Sequence, residues 1–297
     1  MRGVRKLKVF VIVTVLAMTA AYVTKFSYAA GDDSEPLLFI GFSGTNYDPG
    51  WLFKLNTGAG YKFNRYFEIT AGLPVYFARF PDDTLEADTG TVSGIGDLYV
   101  DLRIMADRGG FFFSSSLRGT APTGNKEDGF STGRATFDWN NYIEYALGPW
   151  SPFGSLGIAN SISDTHFFTR PFSSFGIVGQ FEGGLLFDPV RWIGFGGSVY
   201  GVVPSGEQEV YIRGYRSGTS GSGGSGSRRG RIFGDSEYVI VESEDFRDHG
   251  FSGWVDLYPV PDVAFEFGYS RSVSYDLDTL YFSTRFNIGG VIWKDRD

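Results

Sequence analysis

The sequence predicts an all-β protein, a transmembrane antiparallel up-and-down β-barrel of about twelve strands. Three observations carry that expectation. Apolar and polar residues alternate with a period of two over one segment after another. These segments reach about ten residues or more, beyond the five to six usual in soluble sheets and long enough to cross a bilayer at a tilt. The connections between them alternate short and long, as the turns and loops of an outer-membrane barrel do. Composition agrees: the 297 residues include 42 Gly, 29 Phe and 17 Tyr, with no Cys and 2 His, a mixture suited to many strands and tight turns.

Residues 1–30 are set apart from the barrel proper, which is assigned to 31–297. Arg2, Arg5, Lys6 and Lys8 accompany an apolar run of 15 residues at 9–23, and Ser27-Tyr28-Ala29 supplies a small-x-small site, the pattern of a cleaved secretory signal peptide. An uncleaved anchor fits less well, because the run falls short of the roughly 20 residues a spanning helix needs. Cleavage after Ala29 or Ala30 removes 5 of the 26 basic side chains (Arg2, Arg5, Lys6, Lys8, Lys25) and none of the 34 acidic ones, taking the formal charge from −8 to −13. So acidic a chain lacks the concentrated basic surface that nucleic acid requires. An exported chain without Cys also forgoes disulfides, so its stability must come from packing or closed hydrogen bonding.

The alternation begins with an opening strand near 37–45. Over residues 51–63, Trp51, Phe53, Leu55, Ala59, Tyr61 and Phe63 share one face, and Lys54, Asn56, Gly58, Gly60 and Lys62 the other. After a turn at Asn64-Arg65, Phe67, Ile69, Ala71, Leu73, Val75 and Phe77 oppose Glu68, Thr70 and Gly72. Asp97, Tyr99, Asp101 and Arg103 interleave with Leu98, Val100, Leu102 and Ile104, and Asp138, Asn140, Tyr142 and Glu144 with Phe137, Trp139, Ile143 and Tyr145. Gln180 and Glu182 alternate with Ile177 and Phe181, Trp254 and Asp256 with Val255 and Leu257, Glu266 with Phe265 and Phe267, and Ser283 and Arg285 with Phe282 and Phe286. A closing strand near 279–292 gives an even count and returns both termini to the periplasm. Closure is required, because each unpaired backbone group in hydrocarbon costs several kcal/mol.

Short connections are expected at 64–65, 107–110, 148–152, 188–190 and 259–261, and long ones at 78–93, 123–133, 164–174 and 204–250. Trp51, Tyr66, Trp150, Trp192, Tyr258 and Trp293 sit near strand ends, where interfacial girdles form. The longest excursion holds YRSGTSGSGGSGSRRGR at 215–231, a flexible solvated tract by composition. Its Arg228, Arg229 and Arg231 are candidates to grip lipopolysaccharide phosphate or a partner, and Val239-Ile240-Val241 extends a strand within the same excursion.

Candidate chemistry is sparse. Gly94-Ile95-Gly96 opens like a dinucleotide fingerprint, but Tyr99 stands where the third Gly belongs and no helix follows. Asp48, Asp82, Asp83 and Asp128 fall in loops without the spacing of a calcium site. His166 with Asp164, and His249 with Asp248, are the pairs open to a rim hydrolase. No catalytic residue, cofactor or metal is therefore assigned. The inward face is richer: Lys54, Lys62, Glu68, Asp97, Asp101, Arg103, Arg118, Asp138, Asn140, Glu144, Glu182, Asp256, Glu266 and Arg285 are the candidate lumen-facing residues. Such mixed charges either line a water-filled path or pair into a plug.

Gly94-Ile95-Gly96-Asp97-Leu98, Pro122-Thr123-Gly124, and Ser131-Thr132-Gly133 with Asp138 beyond it resemble the meta-pathway of phenol degradation outer-membrane family. There a GxGD strand start precedes a PTG…GTG loop and another long strand. The resemblance spans residues 94–187. It implies an outer-membrane barrel of a Gram-negative bacterium that passes hydrophobic or aromatic solutes, with no catalytic residues to carry over. The chain departs from that pattern at Ser131, where Gly is usual, and in continuing past Trp293 as Lys-Asp-Arg-Asp, so 282–286 becomes the candidate signal for the barrel assembly machinery. The expected function is a passive channel or transporter for small solutes, with the lipid bilayer and lipopolysaccharide as surroundings. A structural or surface-interaction barrel using the 204–250 loop is the second reading, and an outer-membrane hydrolase the third.

Overall fold

The computed structural model describes residues 34–47, 50–79, 91–126, 128–162, 170, 172–212, 238–241, 247–260 and 263–287. Its strands are β1 (Glu35–Tyr47), β2 (Gly50–Asn64), β3 (Phe67–Arg79), β4 (Thr91–Ile95), β5 (Leu98–Arg108), β6 (Phe111–Ala121), β7 (Thr136–Tyr145), β8 (Trp150–Ala159), β9 (Phe172–Val190), β10 (Ile193–Ile212), β11 (Tyr238–Val241), β12 (Asp248–Val260), β13 (Val263–Ser272) and β14 (Leu277–Asn287). Each pairs antiparallel with its neighbours, and β14 returns to β1 from Leu37 opposite Asn287 to Asn46 opposite Asp278. That pairing closes a 12-strand barrel.

Two segments stand outside the ring count. β4 pairs only with the upper part of β3, while β5 pairs with its lower part, Phe67–Gly72. Between them the Gly96 N–H donates to the Pro74 carbonyl at 2.8 Å, so β4 and β5 act as one strand broken at Gly96-Asp97. β11 pairs with residues 208–211 of β10, as the Val239-Ile240-Val241 run anticipates.

Alternation sets the two faces. Leu98, Val100, Leu102 and Ile104 on β5, Phe137, Trp139 and Ile143 on β7, Leu156 and Ile158 on β8, and Phe181 and Leu185 on β9 are exposed on the outside. A belt of that composition is stable only against hydrocarbon. Among the girdle candidates, Tyr66, Trp150, Trp192 and Tyr258 stand exposed at the end of the barrel that carries the short turns, and Trp51 at the opposite end. Trp293 lies outside the described residues.

Several connections differ from the sequence expectation. The β9–β10 turn is Arg191-Trp192 rather than 188–190. The excursion placed at 204–250 starts as paired strand, since β10 runs on to Ile212 and matches residues 172–175 of β9 beyond a bulge between Ser205 and Glu209. Gly206, at φ 73°, lets one strand absorb extra residues without ending the pair. The Gly/Ser tract with Arg228, Arg229 and Arg231, and the signal segment 1–30, lie outside the described residues.

Candidate functional site: a luminal plug above a polar vestibule

The loop after β6, residues 122–135, is the feature whose placement matters most. Its Pro, Gly and charged residues suggest an exposed rim; instead it folds into the lumen. Phe130, 3 % exposed, stacks on Tyr76 of β3 with ring centroids 5.6 Å apart and planes 3° from parallel. Ser131, Thr132 and Asp128 are buried beside it. The physical reason is a docking seat at the β4–β5 break. There the Gly124 N–H donates to Asp97 Oδ1 at 3.0 Å, the Asn125 N–H to the Ile95 carbonyl at 3.0 Å, and the Leu98 N–H to Thr123 Oγ1 at 2.8 Å. A Cβ on Gly124 would lie 2.8 Å from the Gly96 backbone, so only glycine allows this approach. At the loop's other end Arg134 reaches Glu209 at 3.3 Å and covers the Phe175 ring.

A second closure lies across from the first. Arg170 and Asp248 form an ion pair at 2.9 Å, with both side chains essentially withdrawn from solvent. Ser272 Oγ donates to the same carboxylate at 2.5 Å. Phe172 packs edge-on against Tyr275 with centroids 5.5 Å apart. Burial, and then the Asp248 carboxylate, raise the Tyr275 hydroxyl above the ordinary phenol range, so it stays neutral. Leu52, Tyr76, Ala78, Phe130, Ala159, Ile162, Phe172, Val178, Val202, Val210, Tyr275 and Leu277 make one buried apolar cluster. Inward side chains of an open pore would be wet; these are dry because the loop end is packed shut.

Below that cluster the lumen opens. A cavity of about 90 Å³ lies under Phe130, bounded by Lys54, Asn56, Tyr99, Arg118 and Asp138. Further toward the turns, Lys62, Glu68, Arg103, Glu144, Glu182, Asp256 and Glu266 are all partly solvated. Aromatic rings clad this wall, and Phe153 of β8 meets Trp254 of β12 with ring centroids 6.1 Å apart. Tyr281 lies over Gly268 and Trp254 over Gly196, where an added Cβ would come within 2.0 Å of either ring, so glycine on the neighbouring strand makes room for a ring to lie flat. With its loop end dry and its charges toward the turns partly solvated, the lumen has the form of a cup.

The lumen-facing candidates divide by what they touch. Lys62 pairs with Glu35 at 3.2 Å, Arg103 with Glu68 at 3.9 Å and Arg118 with Asp101 at 2.8 Å. The Arg118 guanidinium also covers the Tyr99 ring at 4.5 Å. Lys54 stands 6.0 Å from the Tyr76 ring centre, and Asp97 holds the loop. Asp138 accepts from Gln180 at 2.8 Å, and Glu144 from the Tyr142 hydroxyl at 2.8 Å. Asn140 keeps a buried Oδ1 without a hydrogen bond. Asp256 and Glu266 face each other across β12 and β13, and Glu182 lies opposite Ser155 and Tyr200. Arg285 sits opposite Ala264 in β14; its side chain lies outside the described residues. The sequence reading missed Phe130, Arg170, Phe172 and Glu35. A lone Phe within a polar, Gly-rich loop was the available signal for the first.

The pairing of His249 with Asp248 is corrected. Successive residues of β12 face opposite sides, so Asp248 points inward to Arg170 while His249 stays outside. His249 Nδ1 instead meets Ser274 Oγ at 2.8 Å, and the same oxygen accepts the His249 N–H at 3.1 Å. A serine oxygen shared between the ring and the backbone of one histidine caps the β13–β14 turn. His166 and Asp164, together with Asp48, Asp82 and Asp83, lie outside the described residues. Among the described residues no group of three His, Asp or Glu could hold a metal ion.

Closed strand pairing, an apolar outer belt and aromatic ends define the class: a transmembrane β-barrel of the outer-membrane type. No family model and no curated protein matches the chain. Among solved structures it is similar to an outer membrane channel from Pseudomonas putida F1, at TM-score 0.55 and 12% identity over 86% of this chain and 97% of that one. At that identity the likeness shows the fold. Other similar structures are the NanC porin, at TM-score 0.47 and 8% identity over 84% of this chain and 98% of that one, and the Pseudomonas putida toluene transporter TodX, at 0.41 and 10% over 87% and 90%.

Proposed function

We propose that this chain is an outer-membrane channel of a Gram-negative bacterium that passes small solutes, hydrophobic or aromatic ones among them. One observation carries the reading: the lumen keeps partly solvated charged side chains toward the turns, and at the loop end it is filled by Phe130 of a folded-in loop together with inward strand residues. Moving the 122–135 loop would uncover the cavity beneath Phe130 while every barrel hydrogen bond stays made. A barrel serving only as a surface scaffold has no need of a vestibule.

The resemblance over residues 94–187 supports the aromatic class of solute, as do Tyr76, Tyr99 and Phe130 around the cavity. The same reading makes 1–30 a cleaved signal, lipopolysaccharide the neighbour at the loop end, and the barrel assembly machinery the partner that inserts the chain. It makes the protein a conduit rather than an enzyme. Liposome swelling tests it, with folded protein and a graded series of sugars, amino acids and phenols. Swelling is expected for the smallest members, and a folded barrel that admits none of them overturns the proposal.

A further inference from the structure

Phe130 is the side chain of the 122–135 loop that caps the cavity beneath it, packed in the same buried cluster as Leu52, Phe172 and Tyr275. Phe130 lies between the lumen and the loop-end surface, its ring against Tyr76 and directly over Gly94, where an added Cβ would lie 2.3 Å from the ring. The polar anchors of the loop lie elsewhere, on Thr123, Gly124 and Asn125 at its start and Arg134 at its end. Within the loop the Phe130 N–H donates to the Asn125 carbonyl at 2.9 Å, and Gly129 and Gly133 take left-handed φ values of 69° and 70°. The ring is thus held by its stack on Tyr76 and by burial rather than by polar bonds of its own, on a segment whose base is fixed and which carries left-handed glycines at 129 and 133.

We infer that Phe130 is the size-determining residue of the permeation path: its ring is the movable stop, and the opening left when it swings off Tyr76 sets the largest solute admitted. The inference rests on the channel reading and adds what that reading lacks, the side chain that discriminates. Lys54, Arg118 and Asp138 below the ring belong to the wall, where strand pairing fixes their backbone. Widening the path therefore requires removing the ring, and trimming wall charges does not substitute for it.

The test compares wild type, Phe130→Ala and Phe130→Leu in planar bilayers and in swelling assays with the same graded solutes. Resistance to SDS at room temperature confirms that each barrel is folded. Phe130→Ala is expected to raise conductance several-fold and to admit solutes that wild type excludes, with the gain growing as solute size grows. Phe130→Leu, which keeps most of the bulk, stays within twofold of wild type. Asp97→Ala, which unseats the loop without touching the ring, shifts behaviour in the same direction as Phe130→Ala. If wild type conducts and Phe130→Ala leaves conductance and size limit unchanged, the assignment of Phe130 falls while the channel reading stands. If no variant conducts although all are folded, both fall.

Discussion

Replacing Leu102 with Arg tests whether the outer belt faces lipid. Leu102 lies between Ile69 of β3 and Leu117 of β6, and it follows Leu98 by four residues and precedes Arg108 by six. With a rise of about 3.4 Å per residue and a tilt of about 40°, it sits roughly 10 Å below the loop end of β5 and roughly 16 Å above the turn end. That is near the middle of an apolar band about 25 Å tall, where an arginine costs about 2–4 kcal/mol. Leu147, exposed beside Trp150 at the turn end, is at the interface, where the same change costs about 0–1 kcal/mol. Ser155→Arg supplies the inward control, since Ser155 faces Glu182 across β8 and β9 and the new charge meets a carboxylate. The assay is reversible urea unfolding in lipid vesicles, followed by tryptophan fluorescence. The expected order of destabilisation is Leu102→Arg well above Leu147→Arg, with Ser155→Arg small. Equal costs at Leu102 and Leu147 would refute the placement of this belt in a bilayer.

Other outcomes follow from the same geometry. Asp248→Asn removes a buried carboxylate charge from the Arg170 pair, so the unfolding free energy should drop by up to about 3–5 kcal/mol, whereas Asp276→Asn, on the exposed pair with Arg271, should change it by less than about 1 kcal/mol. Gly268→Ala pushes a methyl into the Tyr281 ring and should cost about 1–3 kcal/mol in overpacking; adding Gly268→Ala to Tyr281→Ala should cost almost nothing further, which would confirm the cause. Glu144, Glu182, Asp256 and Glu266 tilt the vestibule toward negative charge, so reversal potentials in a salt gradient should show cation preference that shrinks in Glu182→Gln with Glu266→Gln; anion preference in wild type would contradict that distribution.

The barrel itself was legible because its signal is local and repeated. Each strand carries its own alternation, and a bilayer demands closure of any such set, so β5 or β7 could be assigned without knowledge of its neighbours. Short turns were legible where a polar pair such as Asn64-Arg65 interrupts the pattern. The bulge at Gly206 was not, since a glycine that ends a strand and one that bulges it look alike in sequence. The plug was not legible, because loop placement depends on a seat made elsewhere. Gly124 finds the Gly96-Asp97 break only once β3, β4 and β5 are aligned, and Phe130 then meets Tyr76, which is distant in sequence. The Arg170–Asp248 pair is hidden for the same reason, its partners being brought together only by the barrel. Among the lumen candidates, alternation identified the inward face of each strand, but it could not distinguish Arg118, bound to Asp101 on the wall, from a charge open to solute.

Thiol labelling tests the central claim, a membrane-spanning cup stopped at its loop end, most directly. The chain has no Cys, so Ser155→Cys places one thiol on the luminal wall below the plug by a single-atom change. In vesicles holding the barrel in one orientation, an impermeant maleimide should modify it readily from the turn side and only slowly from the loop side, with that protection lost when Phe130→Ala is added. Equal labelling from both sides in the variant that retains Phe130 would contradict the account.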